Sequence, residues 1–171
     1  MPDTIVLKRD RDLDGRLWHI WVRRGLLTLL GLIPLLALFN IFGQQPSTTA
    51  AETPNAILKV NAPSKLRGGL IYMARFDVHA RQDLKSATLI LDEGWADGIT
   101  INTIEPSPVG EASKNGRLSL ELGHIPAGQK YTLFMDFQVN PTTVGTQSQD
   151  VELTDGETHL LTIDRDVTVF P

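Results

Sequence analysis

Lys130-Tyr131-Thr132-Leu133-Phe134-Met135-Asp136-Phe137-Gln138-Val139 is the longest apolar alternation in the chain, and its reading decides the fold. Tyr131, Leu133, Met135, Phe137 and Val139 share one parity. Successive side chains of a strand point to opposite faces, so a period of two predicts a strand with one face in a core. Asn140-Pro141 stops it, because proline has no N–H to give to a ladder.

The pattern repeats on both sides. Upstream, 117–122 turns Leu118, Leu120 and Leu122 inward against Arg117, Ser119 and Glu121, and Ile125-Pro126-Ala127-Gly128 fits a type I turn. Before it, 106–116 reads as a polar loop ending in Asn115-Gly116, a hairpin signal. A strand over 99–104, a turn-rich loop over 92–98 and a strand over 86–91 with Ala87, Leu89 and Leu91 on one side come next. In 70–80, Leu70, Tyr72, Ala74, Phe76 and Val78 face one way, and Arg75, Asp77, His79 and Arg81 the other. A short strand over 56–62 comes first. Downstream, 147–153 pairs across Asp155-Gly156 with 157–170. In that last strand Arg165 shares a parity with Leu161, Ile163, Val167 and Val169, which calls for a bulge near Asp164 or an arginine snorkelling at an edge. Seven or eight short strands without helical period predict a mainly-β antiparallel sandwich over 56–171, with Phe76, Leu89, Leu120, Leu133 and Phe137 in its core.

Leu120-Glu121-Leu122-Gly123-His124-Ile125-Pro126-Ala127-Gly128, then Thr132-Leu133-Phe134, then Val139-Asn140-Pro141 resembles the late strands of bacterial immunoglobulin-like cell-surface modules of the CARDB-like and DUF11-like kind. The resemblance covers 57–170 and implies an Ig-like fold. Such modules are mostly spacers and protein-binding units with no shared catalytic residues. This chain departs from them in having one copy and an N-terminal anchor.

That anchor is 25–42, which holds no charged side chain. Its eighteen residues reach roughly 27 Å as a helix, close to the ~30 Å hydrocarbon core of a bilayer. It is longer than a signal-peptide apolar region, and Thr48-Thr49-Ala50 and Thr49-Ala50-Ala51 are poor cleavage sites, so a permanent anchor is expected. Arg23-Arg24 before Gly25-Leu26-Leu27 raises twin-arginine export, but an ordinary positive flank accounts for it. Lys8, Arg9, Arg11, Arg16, Arg23 and Arg24 precede the span, and no Lys or Arg follows until Lys59. The positive-inside rule then places the N-terminus in the cytoplasm and the C-terminal body outside the cell membrane. Trp18 and Trp21 share a helix face at headgroup level, with a partner-binding juxtamembrane helix as the other reading. The expected divisions are a basic tail and juxtamembrane helix (1–24), a transmembrane helix (25–43), a linker rich in Ser, Thr, Ala and Pro (44–55) and the sandwich (56–171).

Within the span, Gly25, Thr28, Gly31, Pro34, Ala37 and Asn40 recur every third residue. They wind around a helix of 3.6 residues per turn, yet Thr28, Gly31 and Pro34 still form a local groove where a partner helix could dock. The alternative is a monomeric anchor with a mild proline kink.

Composition narrows the chemistry. Beyond the span, ten Lys/Arg face sixteen Asp/Glu, a net −6, which argues against nucleic acid. The chain has no Cys, so disulfides, thiol catalysis and metal–thiolate sites are excluded. An outer domain without disulfides fits a bacterial envelope protein. His79, His124 and His159 lack metal-ligand spacing, and no serine sits in a Gly-x-Ser-x-Gly elbow. Asp92, Glu93 and Asp97, or Asp164 and Asp166, offer calcium too few ligands. No catalytic residue, cofactor or metal is expected. Trp95 is either folded onto the sandwich edge or offered to a partner, and it is the candidate partner contact. The expected function is a single-pass membrane protein whose outer sandwich binds or positions another membrane or envelope protein. The alternative is a carbohydrate- or envelope-binding module in which Trp95 stacks on a sugar.

Overall fold

The computed structural model describes residues 17–39 and 44–171. The chain divides into two compact units, Met1–Ile41 and Phe42–Pro171. The tail expected over 1–15, with Arg16 beside it, lies outside the described residues, as does the end of the apolar span, 40–43.

In the first unit a single helix, α1, runs Leu17–Leu38 without interruption. Its 22 residues extend roughly 33 Å. It is long and apolar enough to cross a membrane, and none of that span is buried against protein. Pro34 lies inside it and withholds one N–H from the ladder. The Thr28 hydroxyl donates to the Arg24 carbonyl at 2.8 Å.

The second unit holds thirteen strands in the described residues: β1 (Pro46–Glu52), β2 (Ala56–Pro63), β3 (Lys65–Arg67), β4 (Ile71–Ala80), β5 (Leu84–Leu91), β6 (Ile99–Glu105), β7 (Gly110–Lys114), β8 (Arg117–Ile125), β9 (Lys130–Val139), β10 (Gly145–Ser148), β11 (Val151–Asp155), β12 (Thr158–Ile163) and β13 (Asp166–Phe170). They form a first five-stranded sheet in the order β1-β2-β4-β9-β6, a second in the order β12-β11-β5-β8-β7, and a small sheet, β10-β13-β3. Both large sheets are antiparallel throughout.

The alternation explains the packing. On the first sheet Tyr72, Ala74 and Phe76 of β4 stand opposite Phe137, Met135 and Leu133 of β9. On the second, Leu89 of β5 stands between Leu120 of β8 and Leu153 of β11. These inner faces join in one core cluster, in which Phe76, Leu89, Leu120, Leu133 and Phe137 are wholly buried as the sequence predicts. Each such side chain contributes about 1.5–3 kcal/mol by leaving water. The result is a β-sandwich preceded by one apolar helix.

The structure corrects the sequence reading at several places. The expected linker 44–55 contains a strand: β1 pairs with β2 along its whole length, from Pro46↔Pro63 to Glu52↔Ile57. It is an edge strand, and its inner residues Ser47, Thr49 and Ala51 are only half-buried, so it needs no apolar stripe. The polar loop 106–116 contains β7, which forms a hairpin with β8 across Asn115-Gly116. Both turn residues have positive φ, 53° and 78°, as a type I′ turn demands. The turn before β9 is shifted by one residue. The Gln129 N–H donates to the Pro126 carbonyl, which puts Gly128, φ 79°, in the third position of a type II arrangement. The last expected strand, 157–170, is two strands in different sheets, β12 and β13, broken at Asp164 and Arg165. The expected strand 147–153 is likewise two, β10 and β11, and β3 is a further short strand, so the seven or eight expected strands become thirteen among the described residues.

Candidate functional site

The outer face of the first sheet carries a groove of about 340 Å³ lined by Ile57, Lys59, Arg75, Asp77, His79 and Lys130. Its geometry follows from register. Ile57 of β2, His79 of β4 and Lys130 of β9 form one cross-strand row, and Lys59, Asp77 and Thr132 form the next. Cross-strand neighbours on one face lie about 4.5–5.5 Å apart at Cβ, so the outward parity of three strands gathers these charges.

Asp77 is the hub. Although it points outward, it is buried, because its neighbours close over it. The Thr132 hydroxyl donates to Asp77 Oδ1 at 2.7 Å, Lys130 Nζ lies 3.1 Å from the same oxygen, and Arg75 Nε lies 3.2 Å from Oδ2. Burial alone would push the Asp77 pKa up. The hydrogen bonds from Thr132 and Lys130, and the charges of Lys130 and Arg75, outweigh it and hold the carboxyl below its ordinary value. A carboxylate so fully supplied with donors is fixed as a counter-ion and is poorly poised to take up a proton. His79 Nδ1 lies 3.1 Å from the Gln129 carbonyl oxygen. Lys59 has no hydrogen bond or ion pair among the described residues. The groove therefore sets Lys59, Arg75 and Lys130 against one carboxylate, a local excess of positive charge on an acidic domain.

A second depression, of about 270 Å³, lies on the outer face of the second sheet and includes Lys114 and Arg117. There the guanidinium is neutralised: Arg117 Nη2 lies 2.7 Å from Glu152 and Nε 3.5 Å from Asp92. Of the two, the first groove keeps the larger excess of positive charge.

Trp95 is not at the surface. The candidate partner contact is wholly buried, in a 3-10 turn over Glu93–Trp95 between β5 and β6. Its ring packs 5.2 Å from Phe76 and 5.3 Å from Phe137. Its Nε1–H donates to the carbonyls of Gln149 at 3.0 Å and Asp150 at 3.2 Å. An indole on a polar loop folds inward when carbonyls are available to receive its N–H. The Arg165 guanidinium sits 4.9 Å above the ring and donates through Nη2 to the carbonyls of Ala62 and Pro63. Arg165 therefore neither marks a bulge nor snorkels at an edge; it is an interior residue of the parity it shares with Val167 and Val169. Gln149, wholly buried, donates to the Tyr72 hydroxyl and the Gly94 carbonyl. Burial pushes the Tyr72 pKa up to about 12, against the Gln149 hydrogen bond and the Arg165 charge, which lower it. Desolvation lowers that of Arg165.

The other sequence candidates stay apart. His124 pairs with Asp83 at 2.8 Å, and His159 lies 2.9 Å from the Thr162 hydroxyl. Among the described residues no three His, Cys, Asp or Glu side chains are placed to hold a metal. Thr28, Gly31 and Pro34 lie on α1, and a Cβ on Gly31 would meet nothing within 4 Å. The groove is not legible in the sequence: Arg75, Asp77 and His79 stand on the polar parity of 70–80, but nothing local pairs them with Lys59 of β2 and Lys130 of β9.

No family model matches this chain, and no curated protein matches it. Among the solved structures that align with it, three each cover 74% of it. They are a β-glucuronidase from glycoside hydrolase family 2 (11% identity, TM-score 0.36), a FixG-related protein from Vibrio parahaemolyticus (9%, 0.34) and a GH20 exo-β-N-acetylglucosaminidase from Vibrio harveyi (14%, 0.28). The chain spans 11% of the first, 96% of the second and 18% of the third. Likenesses this weak carry no argument about substrate or partner.

Proposed function

We propose that this chain is a single-pass membrane protein, N-terminus in the cytoplasm, whose outer sandwich binds another membrane or envelope protein and does no chemistry of its own. The groove around Asp77 carries the reading: Lys59, Arg75 and Lys130 converge on one sheet face of a domain that is otherwise net acidic. Such a patch steers and registers an acidic segment of a partner, since charge complementarity chiefly sets encounter rate and specificity. The basic residues before α1 support the orientation. Thr28, Gly31 and Pro34 supply a second contact, to a partner helix in the bilayer. The immunoglobulin-like likeness agrees with a binding role. The carbohydrate reading loses its aromatic platform, because Trp95 is buried.

The test is co-purification after crosslinking in mild detergent, comparing the wild-type chain with Lys59→Glu and Gly31→Leu. Lys59 makes no side-chain hydrogen bond or ion pair among the described residues, so its reversal breaks none, and fragment unfolding checks that a carboxylate opposite Asp77 leaves the sandwich folded. Leu at position 31 favours insertion by roughly 0.3–0.6 kcal/mol while blocking close helix approach. Loss of the same membrane protein in Lys59→Glu supports binding at the groove, and loss in Gly31→Leu supports docking at the helix. Retention of the partner by both variants at the wild-type level, or no partner with the wild-type chain, removes the proposal.

A further inference from the structure

The sandwich is uneven along its long axis. Its described residues expose six large apolar side chains: Leu70, Ile71, Met73, Val109, Phe134 and Val144. Four of them, Leu70, Ile71, Met73 and Val144, sit at the end where β1 begins. Hydrogen bonds place them there. Gly68 donates to Phe170, Gly69 to Val139, and Val139 to Leu70, which ties the start of β4 to the ends of β9 and β13. Val144 precedes Gly145, which stands opposite Val169. Pro46 stands opposite Pro63, two residues before Lys65. Lys65 and Arg67 flank the buried Leu66 on β3 and are exposed at this same end. Glu52, Asp83, Asp155 and Glu157 lie at the opposite end, beside the turns that follow β1, β4 and β11, while the β5–β6 loop brings the exposed Glu93 and Asp97 to the same end as Val144.

From Leu38 at the end of α1 to Pro46 at the start of β1 the chain takes eight residue steps. Covalent geometry lets eight steps cover at most roughly 30 Å. If α1 crosses a bilayer, the Pro46 end of the sandwich is held within that reach of the lipid headgroups. Exposed apolar side chains at that distance from the bilayer are what the boundary between headgroups and acyl chains accepts. A soluble surface has no such reason to gather four bulky apolar side chains at one end.

We infer that the Pro46 end of the sandwich is a membrane seat: Leu70, Ile71, Met73 and Val144 enter the headgroup–acyl boundary. This rests on α1 spanning the bilayer, as proposed above.

The chain has no cysteine, so single reporters can be placed without removing any. The full chain carrying Met73→Cys, Val144→Cys or Val109→Cys, each labelled with a small fluorophore, is reconstituted into phosphatidylcholine–phosphatidylglycerol vesicles. Some of the lipids carry a spin-label quencher just below the headgroup. The seat requires loss of emission at positions 73 and 144 and none at 109, which is 77% exposed but remote from that end. Equal quenching at all three positions, or none at 73 and 144, overturns it. Carbonate extraction of the same vesicles separates the two readings: a chain that is washed off loses the membrane anchor and the seat together, while a retained chain without quenching at 73 and 144 loses the seat alone.

Discussion

Replacing Trp95 by Phe tests the interior of the sandwich most sharply. The substitution keeps an aromatic ring against Phe76 and Phe137 but removes the Nε1–H that donates to the Gln149 and Asp150 carbonyls. The Asp150 carbonyl still receives the Asp92 N–H, whereas that of Gln149 is left without the indole donor. Stranding a buried carbonyl costs about 1–3 kcal/mol. Losing roughly 40 Å³ of side chain costs about 1 kcal/mol at 24 cal/mol per Å³ of cavity. Weaker attraction for the Arg165 guanidinium, now over a smaller ring, adds about 0.5 kcal/mol. The sum is about 2–4 kcal/mol after partial relaxation, less than the ~5–15 kcal/mol of an ordinary domain, so the variant still folds. The assay is guanidinium unfolding of the fragment 44–171, followed by circular dichroism; every core residue lies within it. With a slope of about 4 kcal/mol per molar, the midpoint should fall by about 0.5–1 M. An unchanged midpoint together with lost partner binding would show that Trp95 is a surface contact and that the buried network is misread.

Two further outcomes are expected. A Cβ on Gly94 would lie 2.0 Å from the Ser148 carbonyl oxygen, a backbone atom that cannot swing aside, whereas one on Gly110 would meet only the Glu121 carboxylate. Gly94→Ala should therefore destabilise the fragment by about 1–3 kcal/mol or more while Gly110→Ala costs far less, and equal melting temperatures would refute the packing. Asp77 has a folded pKa below its unfolded value, so its stabilisation is complete above about pH 4 and is lost as pH falls through the folded value. Asp77→Asn should lower the unfolding midpoint at pH 7 and converge on the wild-type protein once pH falls below the folded pKa; a pH-independent difference would mean that packing, and not charge, sets its role.

The sequence by itself determined the strands that have one face in the core. In β4, β5, β8 and β9, alternation of Phe, Leu, Met and Val with polar residues records burial directly, because the side-chain period of a strand is two. It also determined the apolar helix, whose length and lack of charge are local properties. It did not reveal β1 or β7. Both are edge strands, held by backbone hydrogen bonds to one neighbour, and backbone groups carry no signature in residue type. Nor did it decide Trp95, since whether a loop indole turns in or out depends on carbonyls more than fifty residues away. Asp77 and Arg165 show the same limit from opposite sides. One stands on the polar face yet is buried under Arg75, Lys130 and Thr132; the other is a charge in an apolar parity, received by carbonyls of β2. Parity fixes which way a side chain points, but only the pairing of distant strands fixes what it meets there, and that meeting made both the groove and the buried network.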